Sequence, residues 1–375
     1  MFDMKILNLL FVYLMFLPSV AIPQYVLKCD ETGTFSEGML SFRRGDAWGF
    51  ADLTGKEVIP PAYFYSFGAP FFSDGLAVVQ LSKGGKFGAI DKTGKLVVPP
   101  EFFTLMRFGS GVAVAFKPAD AGIPTTRAHC KIVSNSGEII SDSTVNDHGF
   151  ETWYTEGLSV FRNSGKYGFL DTKGEVAIPA IYKDARPFRS GMAAVNTPSG
   201  WKFIDKSGKL LEGFSSNVEP GVFSGDVATF TGQNGKKGAV DKTGKVVISP
   251  VYEQLATFEN GFSAGKYTDQ STWENIFEIV TSTGKVVKKF SPTLDKGKYY
   301  EIRSGFGDGL AVIIEGFSNY GFVDTKGYIA INTTFSEVSK FVSGRAYAKK
   351  RDEKTGITKE GFIDSTGKFV FYIQH

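Results

Sequence analysis

Gly49-Phe50-Ala51-Asp52-Leu53-Thr54-Gly55-Lys56 decides how the 375-residue chain is read, because it comes back. Close copies stand at Gly88–Lys95, Gly168–Gly174, Gly238–Lys245, Gly321–Gly327 and Gly361–Lys368, and weaker ones end at Gly137, Gly208 and Gly284. The nine turn glycines (55, 94, 137, 174, 208, 244, 284, 327 and 367) are separated by 34 to 43 residues. Self-similarity at such a period marks a repeat architecture. Within each copy Asp-x-Thr-Gly reads as a type I turn with Gly in the left-handed position. The turn Asp is placed to accept backbone N–H bonds.

Working outward, an aromatic slot precedes each copy and is filled nine times: Phe35, Phe72, Phe108, Tyr154, Phe188, Phe223, Phe258, Phe306 and Phe341. It leads into an apolar alternation such as Gly75-Leu76-Ala77-Val78. After the turn come segments such as Val58-Ile59-Pro60-Pro61-Ala62-Tyr63 and Val247-Ile248-Ser249-Pro250-Val251-Tyr252. Aromatic and β-branched residues between turns favour strands, and Pro ends a strand's pairing because it lacks an N–H. Each unit therefore reads as a three-stranded meander. A lone meander is barely stable, so neighbouring units must bury each other's aromatic faces. No sustained helical period follows the first thirty residues.

The combined pattern, aromatic-x-x-Gly-Leu-Ala-x-Val, then Trp/Tyr-Gly-Phe-Ile-Asp-x-Thr-Gly-Lys, then Val-Ile-Pro-x-x-Tyr, resembles the bacterial WG-containing (KWG) repeat family over residues 35–375. The resemblance implies an all-β repeat protein, often exported, with no general enzymatic activity and no catalytic residues to carry over. Several units depart from the pattern. The slot before the strand Gly holds Cys130, Lys237 and Glu360, and the Gly itself is replaced by Lys131, Lys202 and Glu278. Those units are expected to pack less regularly.

The expected fold is all-β, a tandem array of about nine three-stranded β-meander or hairpin repeats. Propeller blades normally have four strands and rarely exceed eight copies. Three strands in nine units therefore favour an open superhelical or solenoid-like array, with a closed β-propeller-like ring as the alternative. Domain organisation follows as a signal peptide at 1–21, a lead-in at 22–34 and the array at 35–375. Met4-Lys5, the apolar run Ile6–Leu17 and Pro18-Ser19-Val20-Ala21 form a short positive start, a hydrophobic core and a small-x-small cleavage site. Cleavage after Ala21 is expected. The run is shorter than the roughly 20 residues of a membrane span, so no stable span is expected after cleavage, and the protein is expected to be periplasmic, cell-surface or extracellular.

Charge and chemistry narrow the function. Lys plus Arg number 42 against 39 Asp plus Glu, so no basic excess recommends nucleic acid. The three histidines and two cysteines form no zinc-ligand spacing. Cys130 beside His129, with His148, could serve as a thiol nucleophile and base, but Cys130 sits in an aromatic slot and reads better as a buried apolar residue. Repeated turn aspartates each offer one carboxylate where calcium needs six to eight oxygens. No catalytic, cofactor-binding or metal residue is assigned, and no cofactor is expected. The informative departures are long insertions at Lys117–Arg127, Ala264–Asn275, Phe290–Gly305 and Lys349–Lys359, since insertions in repeat proteins map to loops, often on a binding face. Tyr267, Trp273, Tyr299 and Tyr300 are the candidate binding-loop aromatics. The alternative is that they merely close over the ends of their hairpins. The expected function is a non-catalytic exported surface for an envelope protein or cell-wall polysaccharide, with a hydrolytic enzyme or a purely architectural spacer as alternatives.

Overall fold

A computed structural model of the chain describes residues 25–117, 129–143, 149–150, 153–291 and 300–375. The signal-peptide expectation, the insertion at 118–128 and Tyr299 lie outside these residues. The described residues form nine small antiparallel sheets arranged as the blades of a nine-bladed propeller, without a helix. Blade 1 has strands a (Glu31–Ser36), b (Met39–Arg44), c (Ala47–Ala51) and d (Glu57–Tyr63). The other eight repeat this order along the chain: blade 2 (Phe72–Phe102), blade 3 (Thr104–Ser143), blade 4 (Gly149–Tyr182), blade 5 (Asp184–Asp205), blade 6 (Phe223–Tyr252), blade 7 (Gln254–Phe290), blade 8 (Tyr300–Phe335) and blade 9 (Glu337–Gln374).

Two expectations are corrected here. Each unit except blade 5 has four strands and not three, because the aromatic slot itself lies on or beside a first strand as short as Phe72–Ser73 or Thr104–Leu105. Two residues carry no period-2 signal, so the pattern hides that strand. Closure is the second correction: the open array gives way to its stated alternative. Tyr25–Lys28 joins blade 9 as a fifth strand, pairing in parallel with Phe369–Gln374. The core confirms the ring, because nine apolar clusters each span two successive blades. Nine open units would have eight interfaces; the ninth joins Phe35, Leu40 and Phe42 of blade 1 to Phe362 and Phe371 of blade 9.

The slot aromatic makes these joints. It is buried in every blade, and at several joints it meets a strand-c aromatic of the blade before it: Phe50–Phe72 (4.7 Å), Phe169–Phe188 (4.8 Å), Phe203–Phe223 (4.7 Å) and Phe322–Phe341 (4.8 Å), all edge-to-face. Such pairs add about 0.5–1.5 kcal/mol beyond their buried area. Phe362 and Phe35 repeat the geometry across the seam at 5.1 Å. The turns behave as their residues dictate. Asp52 Oδ1 accepts the N–H of Thr54 (2.8 Å) and of Lys56 (3.1 Å), and Gly55 sits at φ 81°.

The strand-c Gly has a structural reason as well. A Cβ on Gly49, Gly88, Gly168, Gly238 or Gly321 would lie 2.4–2.5 Å from the strand-d carbonyl of Ile59, Val98, Ile178, Ile248 or Ile331. In those five blades strand d bulges across the glycine, so that Trp48 faces Tyr63 while Phe50 faces Ile59. Where Lys131 and Glu278 replace Gly, the ladder runs straight through (Lys131 opposite Asp142, Glu278 opposite Lys289). The expectation of less regular packing does not extend to the strand ladders: blades 3 and 7 pair more regularly than the five bulged blades, because no close approach has to be accommodated. Blade 5, with Lys202, has three strands and only bridges at Leu210 and Ser216 where strand d would be.

Candidate binding face

In an antiparallel meander the a–b and c–d turns lie on one face of the ring, while b–c loops and d–a links lie on the other. All four long insertions are b–c loops or d–a links, so the strands flanking them end on this second face. The same face carries the most exposed aromatics of the described residues: Phe317 (96% exposed) and Trp273 (76%) in b–c loops, Phe103 (72%) and Phe67 (70%) in d–a links. They belong to blades 7 and 8 and to the links around blade 2, an arc that straddles the closing seam.

The four aromatics chosen from sequence separate. Trp273 is held in the left-handed region (φ 59°) by a loop in which Asp269 Oδ1 accepts the Ser271 N–H at 2.8 Å and the Asp269 carbonyl accepts the Trp273 N–H at 2.7 Å. That conformation costs a bulky L-residue about 1–2 kcal/mol, and the indole nevertheless projects into solvent. Tyr267 turns inward. Its hydroxyl donates to Glu278 Oε1 (3.2 Å), Tyr252 donates to Oε2 (2.6 Å), and Lys289 Nζ lies 2.7 Å from Oε1. Burial raises the pKa of both phenols, with the Glu278 carboxylate adding to the rise. Tyr300 packs on the blade 7–8 cluster beside Phe290. Tyr267 and Tyr300 thus close over their blades, and Trp273 alone among the described candidates is free to touch a partner.

A recess also opens at the seam. A cavity of about 580 Å³ opens between strand a of blade 1 and blade 9, inside the roughly 300–1,000 Å³ typical of ligand pockets. Its polar centre is Glu360, which stands in blade 9 where six of the other blades carry an aromatic. Glu360 Oε1 accepts Tyr347 Oη–H at 2.6 Å and lies 3.1 Å from His375 Nε2. Lys349 Nζ is 3.8 Å from Oε2 and 3.3 Å from Glu337. The other His375 ring nitrogen lies 3.2 Å from the carbonyl of Cys29, tying blade 9 to the closing segment. Burial works to raise the Glu360 pKa, but the bonds from Tyr347 and His375 and the Lys349 charge outweigh it and hold the carboxyl below its usual range. Burial and the bond to Glu360 push Tyr347 up to about 12, and the bond to Glu360 raises His375. Sequence reasoning passed over this cluster; the signal available was Glu360, a carboxylate in a slot that six blades fill with an aromatic.

The remaining sequence candidates are placed as follows. Cys29 and Cys130 are both free and buried in different interfaces. Burial pushes the Cys130 thiol up to about 12, far from the thiolate a nucleophile needs, and His148 lies outside the described residues. The turn aspartates spend their oxygens on their own turns; the bond from Thr93 holds Asp91 below its usual range against slight burial. Among the described residues no three His, Cys, Asp or Glu side chains are grouped to hold a metal, and no helix is long and apolar enough to cross a membrane.

Comparison with known proteins agrees with this geometry. The profile of the "WG containing repeat" family matches residues 48–86, 87–117, 167–197, 238–264 and 320–353. The five segments start at strand c of blades 1, 2, 4, 6 and 8, the same five in which strand d bulges over a glycine. No curated protein matches the sequence. A crystal structure of a eukaryotic initiation factor superposes with a TM-score of 0.55 at 12% identity, covering 90% of this chain and 98% of that one; at that identity the likeness concerns the fold alone. AztD from Citrobacter koseri aligns over 90% of this chain and 93% of its own at 14% identity, with a TM-score of 0.39. Turn glycines, bulged strands and matched segments coincide blade by blade, and the chain is a WG-containing repeat protein folded as a nine-bladed ring.

Proposed function

We propose that this protein is an exported, non-catalytic binding protein of the cell envelope that grips polysaccharide through the b–c loop face around the seam. The observation that carries this reading is Trp273. A bulky aromatic kept in a conformation glycine would adopt more easily, with its ring left in water, is strain retained at a contact site. Phe317 lies on the same face, and the seam cavity opens in the same arc of blades. Exposed aromatic rings beside carboxylate, hydroxyl and ammonium groups suit sugars, which stack on ring faces and hydrogen-bond through their hydroxyls. The Glu360 cluster favours binding over hydrolysis, because its carboxylate is already occupied by Tyr347 and His375.

The test is retention of the mature chain, starting at Ile22, on isolated cell-wall polysaccharide and on envelope protein extract. Trp273→Gly is expected to stabilise the fold by about 1 kcal/mol, since it relieves the left-handed strain, while polysaccharide retention falls several-fold. Phe317→Ala is expected to lower retention without changing stability. If the unaltered chain is retained on neither material, the binding reading fails; retention on protein extract alone would replace the glycan with a protein partner. An intact Met1 on cytoplasmic protein would overturn export.

A further inference from the structure

The joint between blades 6 and 7 lacks a part that other joints have. Just before the strand-c Gly position, Phe87, Tyr167, Trp201, Phe277 and Tyr320 each pack into the interface with the following blade. In blade 6 that residue is Lys237, and the 6–7 cluster contains no aromatic from this position. The space is not refilled. A cavity of about 230 Å³ opens there, reaching to strand a of blade 8, with apolar walls from Leu255, Phe277 and Ile302.

Its charge is one-sided. Lys237, Lys266 and Arg303 line it against a single carboxylate, Glu253, and Glu253 Oε1 already accepts the Thr268 N–H at 3.2 Å. Lys237 Nζ is oriented by Thr231 Oγ1 at 3.1 Å, and Lys266 Nζ lies 5.8 Å from the centre of the Phe277 ring. Neither lysine forms an ion pair among the described residues. Arg303 pairs with Glu301 at 3.3 Å, a residue outside the cavity lining. An ammonium offers three donors, so Lys237 keeps protons for a guest. Unpaired cations against apolar walls interact with an anion more strongly than they would in water.

We propose that this cavity is a second, separate site that binds one small organic anion, a carboxylate or phosphate carried on a hydroxylated ring such as a sugar acid or sugar phosphate. The anionic group lies between Lys237 and Lys266, and the ring rests on the Leu255–Phe277–Ile302 wall. The volume is below that of a usual drug-sized pocket, so the site takes a single ring and not a chain.

The test is calorimetric titration of the full chain with glucuronate, glucose 6-phosphate and neutral glucose. Saturable binding of at least one anion is expected, weakening as salt rises, with none for glucose; which anion binds identifies the charged group. Lys237→Met is expected to weaken binding about tenfold or more, the usual effect of losing a charge-assisted hydrogen bond. Lys237→Phe restores the missing aromatic and is expected to abolish binding while raising the melting temperature, so that lost binding is not lost folding. Failure of both anions to saturate, equal binding of glucose, or unchanged affinity in both Lys237 variants would overturn the proposal. Trp273→Gly is expected to leave this binding unchanged, which separates the site from the polysaccharide-binding face.

Discussion

Blades 4 and 7 follow one pattern and hold their fourth strand in two different ways. In blade 4, Gly168 lets the strand-d backbone come so close that a Cβ would lie 2.5 Å from the Ile178 carbonyl, and strand d bulges between Ile178 and Tyr182. In blade 7 the corresponding residue is Glu278; strand d runs straight past it, and the buried carboxylate is held by Tyr252, Tyr267 and Lys289. One blade uses backbone proximity and the other a polar cluster. The difference teaches that a blade without the strand-c glycine can hold its fourth strand beside a polar cluster instead.

The sharpest way to break this comparison is to move one solution into the other blade. Gly168→Glu would place a Cβ against the Ile178 carbonyl and bury a charge without the phenols and ammonium that hold Glu278. A loss of about 4 kcal/mol in urea unfolding is expected, and a loss below about 1 kcal/mol would mean that the close approach is dispensable. The reverse experiment is milder. Glu278→Ala removes the acceptor of Tyr252 and leaves its buried hydroxyl unpaired, for an expected loss of about 2 kcal/mol, with the pairing register of blade 7 unchanged. Combining it with Tyr252→Phe should recover part of that loss, because both partners are then gone.

The smallest effect concerns the seam, where a polar cluster again stands in for an aromatic. The His375 pKa is raised by Glu360, so its contribution is fully present below its unfolded value near 6.5 and is lost as pH rises through the folded value. The Glu360 pKa is depressed, so its contribution is present above an unfolded value of about 4.3 and is lost as pH falls. Together they favour closure most between about pH 4.3 and 6.5. His375 is 54% exposed, so solvent screening keeps the effect under about 1 kcal/mol. The protection of the Tyr25–Lys28 amides, relative to their intrinsic exchange at each pH, should be greatest in that window, and His375→Gln should remove the fall in protection above it.

How much of this was legible follows from the range over which each signal acts. The period, the turns and the paired aromatic faces are local and repeated nine times, so each copy corrects the reading of the next. Ring closure depends on Tyr25–Lys28 meeting Phe371–Gln374, a single parallel contact between opposite ends of the sequence with no motif of its own. The short strand a was invisible for a related reason, since Phe72–Ser73 is too brief to alternate. At the candidate site, Trp273 and Tyr267 look equivalent as loop aromatics. What separates them is Glu278, which draws Tyr267 inward and stands eleven residues away on another strand. Glu360 and Lys237 were visible as exceptions, but an exception acquires chemistry only when its neighbours across the interface are known.

The ninth joint changes how such an array can come apart. In a linear stack of repeats each end unit has one neighbour and frays first, so opening proceeds inward by small steps. A ring offers no such starting place. Every blade has two neighbours, including blade 9, whose last strand is sheltered by Tyr25–Lys28. Disassembly must begin by breaking a whole interface, after which two new ends appear together. The closing strand therefore acts less as one more contribution to stability than as a lock on the route by which stability is lost, and its release turns a cooperative object into a sequential one.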